Sequence, residues 1–267
     1  MNTTEQKGWI SKLATTGYAS KGIVYGAVGV LAAMAAFGTG GSVEGPKGAL
    51  SEIGSTAWGG ILLVLIGVGL LAYGIYRLLG AFADIHSEGQ DGSGIAKRLG
   101  YFGSGLVHCG LAAYALMGVG GSGSGTEESL TAKALSMPGG ALLVGAVGLG
   151  IIGAGIYQWV KALTGKYANR FTLDRYTATK RKWIERIAKM GLIARGVIFP
   201  LIGFFLIVAA TNSDPSQTKG MGEALQTLSG WESGPWLLGL TAIGLVCYGI
   251  YCEVLAIYGR WRHSAVR

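Results

Sequence analysis

We single out four ionisable side chains inside otherwise apolar stretches of this chain. His108 lies about two turns into one predicted helix, and Lys21 and Arg195 lie near the starts of two others. Glu253 lies near the end of the last one. Charge is costly at membrane depth, so each of these residues is a candidate functional site. An imidazole there could handle protons or bind a ligand, and a nearby cation could hold the carboxylate ionised.

Other chemical constellations are missing from the sequence. Of the three histidines only His108 lies in an apolar stretch, whereas His86 and His263 lie in polar ones, which disfavours paired haem ligands. The sequence contains no cysteine pair with zinc-ligand spacing, no phosphate-binding glycine loop, no dinucleotide fingerprint and no nucleophile elbow. We therefore expect no enzymatic activity, no cofactor and no metal site.

Six apolar stretches position these residues. Only 13% of the residues are charged, 48 are glycine, and the mean hydropathy is +0.44. The stretches cover residues 19–37, 60–81, 101–119, 140–163, 192–210 and 235–257. Each has about the 20 residues that a helix needs to cross a bilayer, and no alternating strand pattern is present. The sequence predicts an all-α integral membrane protein with six transmembrane helices.

A short motif recurs at the end of every second stretch. It consists of Gly, four small or apolar residues, and Gly-Ile-Tyr. Its three copies end at Tyr76, Tyr157 and Tyr251, which are 81 and 94 residues apart. The preceding stretches align over residues 17–25, 100–108 and 191–199. Two spans per copy keep three repeats parallel, and such repeats are related by an axis along the membrane normal. We predict a pseudo-threefold six-helix bundle, and three side-by-side hairpins are the alternative.

Several side chains near the predicted inner ends of the helices are expected to reach the lipid headgroups. The motif tyrosines Tyr76, Tyr157 and Tyr251 should lie at one depth as interface anchors, because amphipathic rings favour that region. Lys21 and Arg195 have long apolar stems, so we expect them to extend their charges to the headgroups as well.

Glycines recur on single helix faces and predict close helix packing. Lipid removes the hydrophobic attraction between helices, so close backbone approach has to supply the contact. The packing candidates are Gly22, Gly26 and Gly29 in the first stretch, Gly67 and Gly74 in the second, Gly148 and Gly155 in the fourth, and Gly249 in the sixth. A narrow pathway lined by these faces is the alternative interpretation.

The position of His108 is occupied by Tyr25 and Phe199 in the other two repeats. The site therefore accepts a ring without a titrating proton. We expect a neutral, ring-packed, structural imidazole that donates its N–H to a backbone carbonyl or to a hydroxyl such as that of Ser104. A proton-handling or ligand role is the alternative.

These features resemble the bacterial membrane family of domain of unknown function 1206, over residues 10–261. The resemblance rests on Ala194-Arg195-Gly196, on the Gly-Ile-Tyr exits, and on an Ala-Leu pair in each outer loop. The pairs are Ala49-Leu50, Ala134-Leu135 and Ala224-Leu225. Where the third repeat has Arg195, the first has Lys21 and the second has Ser104. The resemblance implies tandem two-helix repeats, commonly three, and implies no activity, substrate or cofactor.

Basic residues are distributed unevenly between the two sides of the predicted bundle. Of the 22 Lys and Arg residues, 19 lie in or beside the N-terminal segment, the even-numbered loops and the tail. Because cytoplasmic loops carry the excess of Lys and Arg, both termini are expected in the cytoplasm. With the family resemblance, this predicts a multi-pass protein of the bacterial inner membrane. The net charge of +8 then follows topology and indicates no nucleic-acid partner.

The segment 164–189 is the longest predicted cytoplasmic connection. Its cations are Lys166, Arg170, Arg175, Lys180, Arg181, Lys182, Arg186 and Lys189, interleaved with Phe171, Tyr176 and Trp183. Basic residues beside the cytoplasmic leaflet bind anionic headgroups, so we expect this segment to contact them. Residues 180–192 could form an amphipathic helix at the surface. Charge that only sets the topology is the alternative.

The predicted organisation is repeat 1 at residues 10–85, repeat 2 at 95–166, a basic cytoplasmic linker at 167–183, and repeat 3 at 184–261. The leading functional hypothesis is a non-enzymatic membrane protein that acts by helix packing, with itself or inside a larger membrane complex. Abundant glycine and scarce intramembrane charge support it. The alternative is a small-solute or ion transporter or channel with a pathway along the repeat axis, and a membrane enzyme ranks third.

Overall fold

The computed structural model describes residues 3–117, 127–172 and 177–262. Arg175, Tyr176 and His263 lie outside these ranges. Within them the chain is helical, apart from turns, short connections and one isolated antiparallel bridge between Phe171 and Gly259. The predicted all-α class is confirmed.

Nine α-helices occur in the described ranges. They are α1 (Thr3–Ala36), α2 (Pro46–Gly54), α3 (Gly59–Phe82), α4 (Gly92–Leu116), α5 (Glu127–Leu135), α6 (Gly140–Thr164), α7 (Ala178–Asn212), α8 (Met221–Ser229) and α9 (Gly234–Tyr258). The six long helices, α1, α3, α4, α6, α7 and α9, are each long and apolar enough to cross a membrane. The chain is a multi-pass membrane protein of three two-helix repeats. Below, the inner end is the end at which the motif tyrosines lie.

The connection between the second and third repeats is more helical than expected. Helix α6 ends at Thr164, and the next residue, Gly165, has a φ of 71°, which suits a residue without a side chain. A short 3-10 helix, Lys166–Arg170, follows. The separate surface helix expected at 180–192 is instead the beginning of α7, which runs unbroken from Ala178 to Asn212. That surface helix and the third span therefore form one continuous element.

The six spans follow one another around a ring in the order α1, α3, α4, α6, α7, α9. Each return helix packs on the entry helix of the next repeat: α3 on α4, α6 on α7, and α9 on α1, which joins the third repeat to the first. Within the first repeat α1 packs on α3, and within the third α7 packs on α9. This recurrence is the pseudo-threefold bundle that the sequence predicts. The remaining pair, α4 and α6 of the second repeat, makes no comparable contact.

Most of the predicted packing glycines lie where successive repeats meet. A Cβ atom on Gly74 of α3 would lie 2.5 Å from the Cys109 Sγ in α4. A Cβ on Gly67, also in α3, would lie 2.7 Å from a side-chain carbon of α4. In α6, a Cβ on Gly148 or Gly155 would lie 2.8 Å or 2.5 Å from atoms of α7. Separations this short leave no room for a side chain, so close packing is confirmed at all four positions.

The contact between α9 and α1 follows the same principle, with one exception. A Cβ on Gly249 would lie 2.7 Å from the Gly22 carbonyl oxygen, and one on Gly29 would lie 2.6 Å from a backbone nitrogen of α9. A Cβ on Gly22 would collide with the Glu253 carboxylate. A Cβ on Gly26, however, would meet nothing within 4 Å. The Gly26 backbone does approach α9 closely, since its nitrogen lies 2.8 Å from where a Cβ on Gly249 would be, but the expected effect of an added side chain is wrong, because the Cβ direction of Gly26 points away.

The difference between Gly74 and Gly26 gives a paired test. Gly74→Leu should lower the free energy of unfolding by about 1–3 kcal/mol or more, because the added side chain forces α3 and α4 apart. Gly26→Leu should melt close to the wild type. Thermal unfolding of both variants in the same detergent measures this. Equal losses in the two variants would contradict the close approach assigned to Gly74.

The three short helices α2, α5 and α8 lie in the outer loops. Each has nine residues, and the Ala-Leu pairs of α2 and α8 are buried. In α5 the equivalent positions hold Leu130 and Thr131, because each short helix ends five residues before its return helix begins. The pair Ala134-Leu135 lies one turn further on. The expectation that it is equivalent to the Ala-Leu pairs of α2 and α8 is therefore wrong. Thr131 is buried, and Leu130 is 62% exposed.

Candidate functional site

In the first repeat a lysine and a tyrosine join the two spans. Lys21 Nζ of α1 donates to the Tyr73 hydroxyl of α3 at 2.9 Å and lies 4.4 Å from the ring centroid. Arg77 Nε donates to the same oxygen at 2.8 Å. Lys21 is 2% exposed and Tyr73 is fully buried. Two cations therefore depend on one phenol oxygen, which has two lone pairs to accept them.

The third repeat contains the equivalent pair. Arg195 Nη1 of α7 donates to the Tyr248 hydroxyl of α9 at 2.5 Å, and its guanidinium carbon lies 4.4 Å from the ring centroid of that tyrosine. Arg195 aligns with Lys21, and Tyr248 aligns with Tyr73, three residues before the motif tyrosine. Arg195 is only 7% exposed. The repeats therefore place a buried cation and its phenol acceptor at the same register.

The two pairs form one layer across the bundle, here called the cation–tyrosine layer. Lys21 Nζ lies 5.6 Å from the Tyr248 ring centroid, and the Arg195 guanidinium lies 5.3 Å from that of Tyr25. The rings of Tyr25 and Tyr248 meet edge to face at 5.0 Å. Each desolvated cation–ring contact contributes about 0.5–2 kcal/mol. In the described ranges neither Lys21 nor Arg195 forms an ion pair with a carboxylate.

The second repeat lacks both members of the pair. Ser104 takes the place of the cation and Ala154 that of the tyrosine. The helix positions beside them change from buried to exposed. Val24 and Ile198 are 1% and 0% exposed, but their equivalent Val107 is 61% exposed. The loss of the polar pair therefore coincides with the loss of the α4–α6 contact.

Repeat-equivalent glycines show the same difference. A Cβ on Gly17 would lie 2.6 Å from the Tyr73 backbone, and one on Gly191 would lie 2.5 Å from the Tyr248 backbone. A Cβ on the equivalent Gly100 would meet nothing within 4 Å. The exposed faces form a surface that we call the second-repeat cleft. Its residues are Gly100, Gly103, Ser104 and Val107 on α4, and Val147, Gly150, Gly153 and Ala154 on α6.

His108 packs against the cation–tyrosine layer from α4. Its Nδ1 lies 2.7 Å from the Ser104 carbonyl oxygen, which can only accept, so Nδ1–H donates. The ring centroid lies 4.5 Å from that of Tyr73, and the residue is 4% exposed. The predicted ring packing and carbonyl contact are confirmed. The Nε2 atom is buried and has no hydrogen-bond partner in the described ranges.

The expected headgroup anchors are mostly inside the protein. Lys21 and Arg195 do not extend to the headgroups, because phenol oxygens and aromatic faces hold their charges within the bundle. Tyr76 and Tyr251 are each 3% exposed, since the motif tyrosine of a closed repeat faces the interior. Tyr157, in the open repeat, is 45% exposed. The anchor prediction is therefore wrong for the other four residues, and Tyr157 alone keeps the exposure that an anchor needs.

Glu253 has no cation partner in the described ranges. Its side chain is half-buried on α9, and its Oε1 makes no hydrogen bond there. The carboxylate lies over Gly22 of α1, at the position where a Cβ on that glycine would be. Glu253 therefore takes part in the contact between α9 and α1, apart from the cation–tyrosine layer.

Aromatic and basic side chains line the inner end of the layer. The Arg77 guanidinium lies 5.0 Å from the Tyr101 ring centroid. His86, in the loop after α3, packs edge to face on Tyr76 at 5.4 Å and on Tyr101 at 5.1 Å. Burial, aided by the charges of Arg77 and Arg170, lowers the pKa of His86 to about 4. This imidazole is therefore neutral at physiological pH.

The sequence analysis missed Tyr73, Tyr248 and Arg77. A signal for the two tyrosines was present in the repeat alignment. The position three residues before the motif tyrosine is Tyr in both repeats that carry an entry cation, and it is Ala154 in the repeat that has Ser104 instead. A buried cation needs a buried acceptor, so this joint change indicates contact. No repeat signal marks Arg77, whose equivalents are Gln158 and Cys252.

Comparison with known proteins supports the division into repeats. The family model described as Domain of Unknown Function (DUF1206) matches residues 16–84, 99–165 and 190–259, one match for each repeat. "Uncharacterized protein YxxB" of Bacillus subtilis (strain 168) is 34% identical over 256 residues, which cover 95% of this chain and 93% of the relative. No solved structure matches the chain.

Proposed function

The chain belongs to the family described as Domain of Unknown Function (DUF1206), and we propose that it is a non-enzymatic membrane component that pairs with a second copy of itself. The second-repeat cleft is the observation that supports this proposal. Its positions, apart from the half-buried Cys247, are buried in the first and third repeats, and all but the half-buried Ser104 are exposed in the second. The proposed setting is the bacterial inner membrane with both termini cytoplasmic, supported by the uneven distribution of Lys and Arg.

The cleft has the composition of a transmembrane helix contact. Gly100 and Gly103 on α4, and Gly150 and Gly153 on α6, have open space where a Cβ would lie. Small residues let helix backbones approach closely, which is the main source of helix association in lipid. Val147 is 48% exposed beside them. At the equivalent glycines of the first and third repeats, a neighbouring helix occupies the space where a Cβ would lie.

A second copy offers both halves of the missing contact. As the two spans of one repeat, α4 and α6 are antiparallel. A twofold axis along the membrane normal would place α6 of the partner on α4, and α4 of the partner on α6. In this arrangement α4 and the partner's α6 are antiparallel, as are the two spans that pack on each other in the first and third repeats. The interface is self-complementary. The proposal therefore uses a helix pairing that the chain already makes twice.

The packed interior supports a packing role over a solute pathway. At the cation–tyrosine layer, Lys21, Tyr73 and His108 are 2%, 0% and 4% exposed, which leaves almost no surface for water. A conduit along the axis needs polar groups that water reaches. The other proposed partners are the bilayer and its anionic headgroups, the latter at the basic segment 164–189, and no nucleic acid is involved.

Single-molecule photobleaching in liposomes tests the pairing. Wild-type protein with one fluorophore per chain should bleach in two steps over a range of dilutions in lipid. Gly150→Leu should bleach in one step, because the side chain fills the cleft. Gly26→Leu is the matched control, since it adds the same side chain to an open position outside the cleft. One-step bleaching of the wild type, or unchanged pairing of Gly150→Leu, would contradict the proposal.

A further inference from the structure

An open groove of about 560 Å³ lies along the third repeat, between α7 and α9. Side chains of α6 and α8 complete its lining. Ala194 and Thr241 in the groove are buried, whereas Met190 and Leu240 are 48% and 67% exposed. None of the lining residues in the described ranges is charged. The groove therefore offers an apolar surface along two spanning helices.

Trp159 is the wall that α6 contributes to the groove. Its Nε1–H donates to the Ile193 carbonyl oxygen of α7 at 3.2 Å. The indole lies against Gly196, where a Cβ would collide with it. Two residues after their motif tyrosines, the other return helices have the smaller Leu78 and the charged Glu253. The aromatic wall is therefore particular to the contact with the third repeat, and its one polar atom is already bonded.

The groove matches a single lipid chain in length. On α7 it runs from Met190 to Leu201, which is about 16 Å at about 1.5 Å per residue. The hydrocarbon of one leaflet is about 15 Å deep, half of a bilayer core of about 30 Å. A helix with its side chains is about 10 Å across, so over the same length it fills roughly twice the volume of the groove. An acyl chain can therefore enter completely, whereas a helix cannot.

The face of α7 that lines the groove becomes basic towards the inner end. The groove residues Ile193, Val197 and Pro200 follow one another at helical spacing. Continued inward, the same spacing reaches three cations, which are Lys189, Arg186 and Lys182. All three are exposed, and none forms an ion pair with a carboxylate in the described ranges. A positive surface therefore borders the inner end of the groove.

The two ends of the groove differ in charge. At the inner end the Arg186 guanidinium lies 5.4 Å from the Trp183 ring centroid. At the outer end the lining residue Trp231 is followed by an exposed acid, Glu232. The run of three cations is also particular to the third repeat. The equivalent residues are Gly8, Lys12 and Thr15 on α1, and Asp91, Ile95 and Arg98 on α4. The inner end is therefore the one that is complementary to an anion.

We propose that this groove binds one acyl chain of an anionic phospholipid, whose headgroup contacts Lys182, Arg186 and Lys189. An arginine fork binds phosphate oxygens in pairs, and a lysine adds a point charge. The inference gives a definite site to the headgroup contact proposed above, and it rests on the membrane setting in which α7 begins in the cytoplasm. It does not depend on pairing, because the groove shares no residue with the second-repeat cleft.

Thermal unfolding in detergent with added lipid tests this proposal. Phosphatidylglycerol should raise the unfolding midpoint of the wild type by several degrees, because it supplies both the chain and the anionic headgroup. Phosphatidylcholine with the same chains should give a smaller rise, and glycerol phosphate, which has no chain, should give none. The proposal fails if phosphatidylglycerol gives no rise, or if phosphatidylcholine or glycerol phosphate raises the midpoint as much as phosphatidylglycerol does.

Two pairs of variants locate the site. Val197→Trp fills the groove and should lose most of the rise in midpoint, whereas Val64→Trp adds the same side chain to an exposed position of α3 and should keep it. Arg186→Gln should reduce the rise with phosphatidylglycerol to that with phosphatidylcholine. Lys12→Gln, at the equivalent exposed position of α1, should leave the rise unchanged.

Native mass spectrometry measures the retained lipid directly. Phosphatidylglycerol should remain on the wild type, Val64→Trp and Lys12→Gln, and should be lost from Val197→Trp and Arg186→Gln. Because Arg186 is exposed, Arg186→Gln decides the question if the added indole of Val197→Trp prevents folding. Retention on Arg186→Gln equal to that on the wild type would overturn the proposal. Arg186→Gln should still bleach in two steps in liposomes, so the lipid site and the pairing can fail separately.

Discussion

Tyr73→Phe is expected to lower the free energy of unfolding by about 3 kcal/mol or more, because it removes two hydrogen bonds to charged groups, each of which contributes about 1.5–3 kcal/mol. The change keeps the ring and removes one oxygen. That oxygen accepts from Lys21 Nζ and from Arg77 Nε. Lys21 would keep its aromatic contacts and lose its acceptor, whereas Arg77 would keep, in the described ranges, only the longer bond from its Nη2 to the Tyr18 hydroxyl, at 3.5 Å. Chemical or thermal unfolding in detergent, followed by circular dichroism, measures the loss.

Two further tyrosine substitutions calibrate this result. Tyr248→Phe should cost less, because in the described ranges only Arg195 donates a hydrogen bond to that hydroxyl. Tyr114→Phe should cost close to nothing, since Tyr114 is half-buried and its hydroxyl makes no hydrogen bond in the described ranges. If Tyr73→Phe and Tyr114→Phe lower the free energy of unfolding equally, the phenol oxygen of Tyr73 does not stabilise the first repeat.

The second large effect is expected from restoring the missing pair. Ser104→Arg combined with Ala154→Tyr places a cation and an acceptor at the register that they occupy in the other repeats. The double variant should bring α4 onto α6 and stabilise the chain. It should also weaken pairing between copies by about tenfold or more, equivalent to about 1.4 kcal/mol, because the cleft is then filled from within.

The two single variants are the controls for this restoration. Ser104→Arg alone adds a cation without an acceptor, and Ala154→Tyr alone adds a ring without a cation. Neither should close the second repeat. Photobleaching in liposomes and thermal unfolding report pairing and stability on the same samples. A double variant that pairs like the wild type and melts like the single variants would show that other residues hold the second repeat open.

Local periodicity accounts for the part of the fold that the sequence predicts. Span length, the Gly-Ile-Tyr exits and the glycine spacings are all properties of one helix, and seven of the eight predicted packing glycines do lie in close contacts. The prediction for a side chain at Gly26 fails, because which neighbour a helix face meets depends on the order of helices around the ring. Periodicity along α1 carries no information on that order.

The candidate site was predicted only in part, because its contacts join different helices. Lys21, Arg195 and His108 were found by their charge inside apolar stretches. Their burial was underestimated, since long stems can reach headgroups as well as a neighbouring helix. The open second repeat follows from the joint presence of Ser104 and Ala154. A comparison that treats the three repeats as equivalent hides that difference.

Disulfide cross-linking tests most directly the claim that two repeats are closed and one is open. Cysteine pairs would be placed at equivalent positions after the native Cys109, Cys247 and Cys252 have been replaced. The pairs are 20 with 69 in the first repeat, 103 with 150 in the second, and 194 with 244 in the third. A Cβ on Gly69 would lie 2.7 Å from the Ser20 Cβ, whereas one on Gly103 or Gly150 would meet nothing within 4 Å.

The first and third pairs should therefore oxidise within one chain, because their helices need to separate by only about 1 Å to reach the Cβ–Cβ distance of about 4 Å found in a disulfide. The second pair should give no cross-link within one chain, and in liposomes it should join two chains into a covalent dimer. Non-reducing gel electrophoresis separates these products. Cross-linking of 103 to 150 within one chain, as efficient as in the other two repeats, would contradict the open cleft.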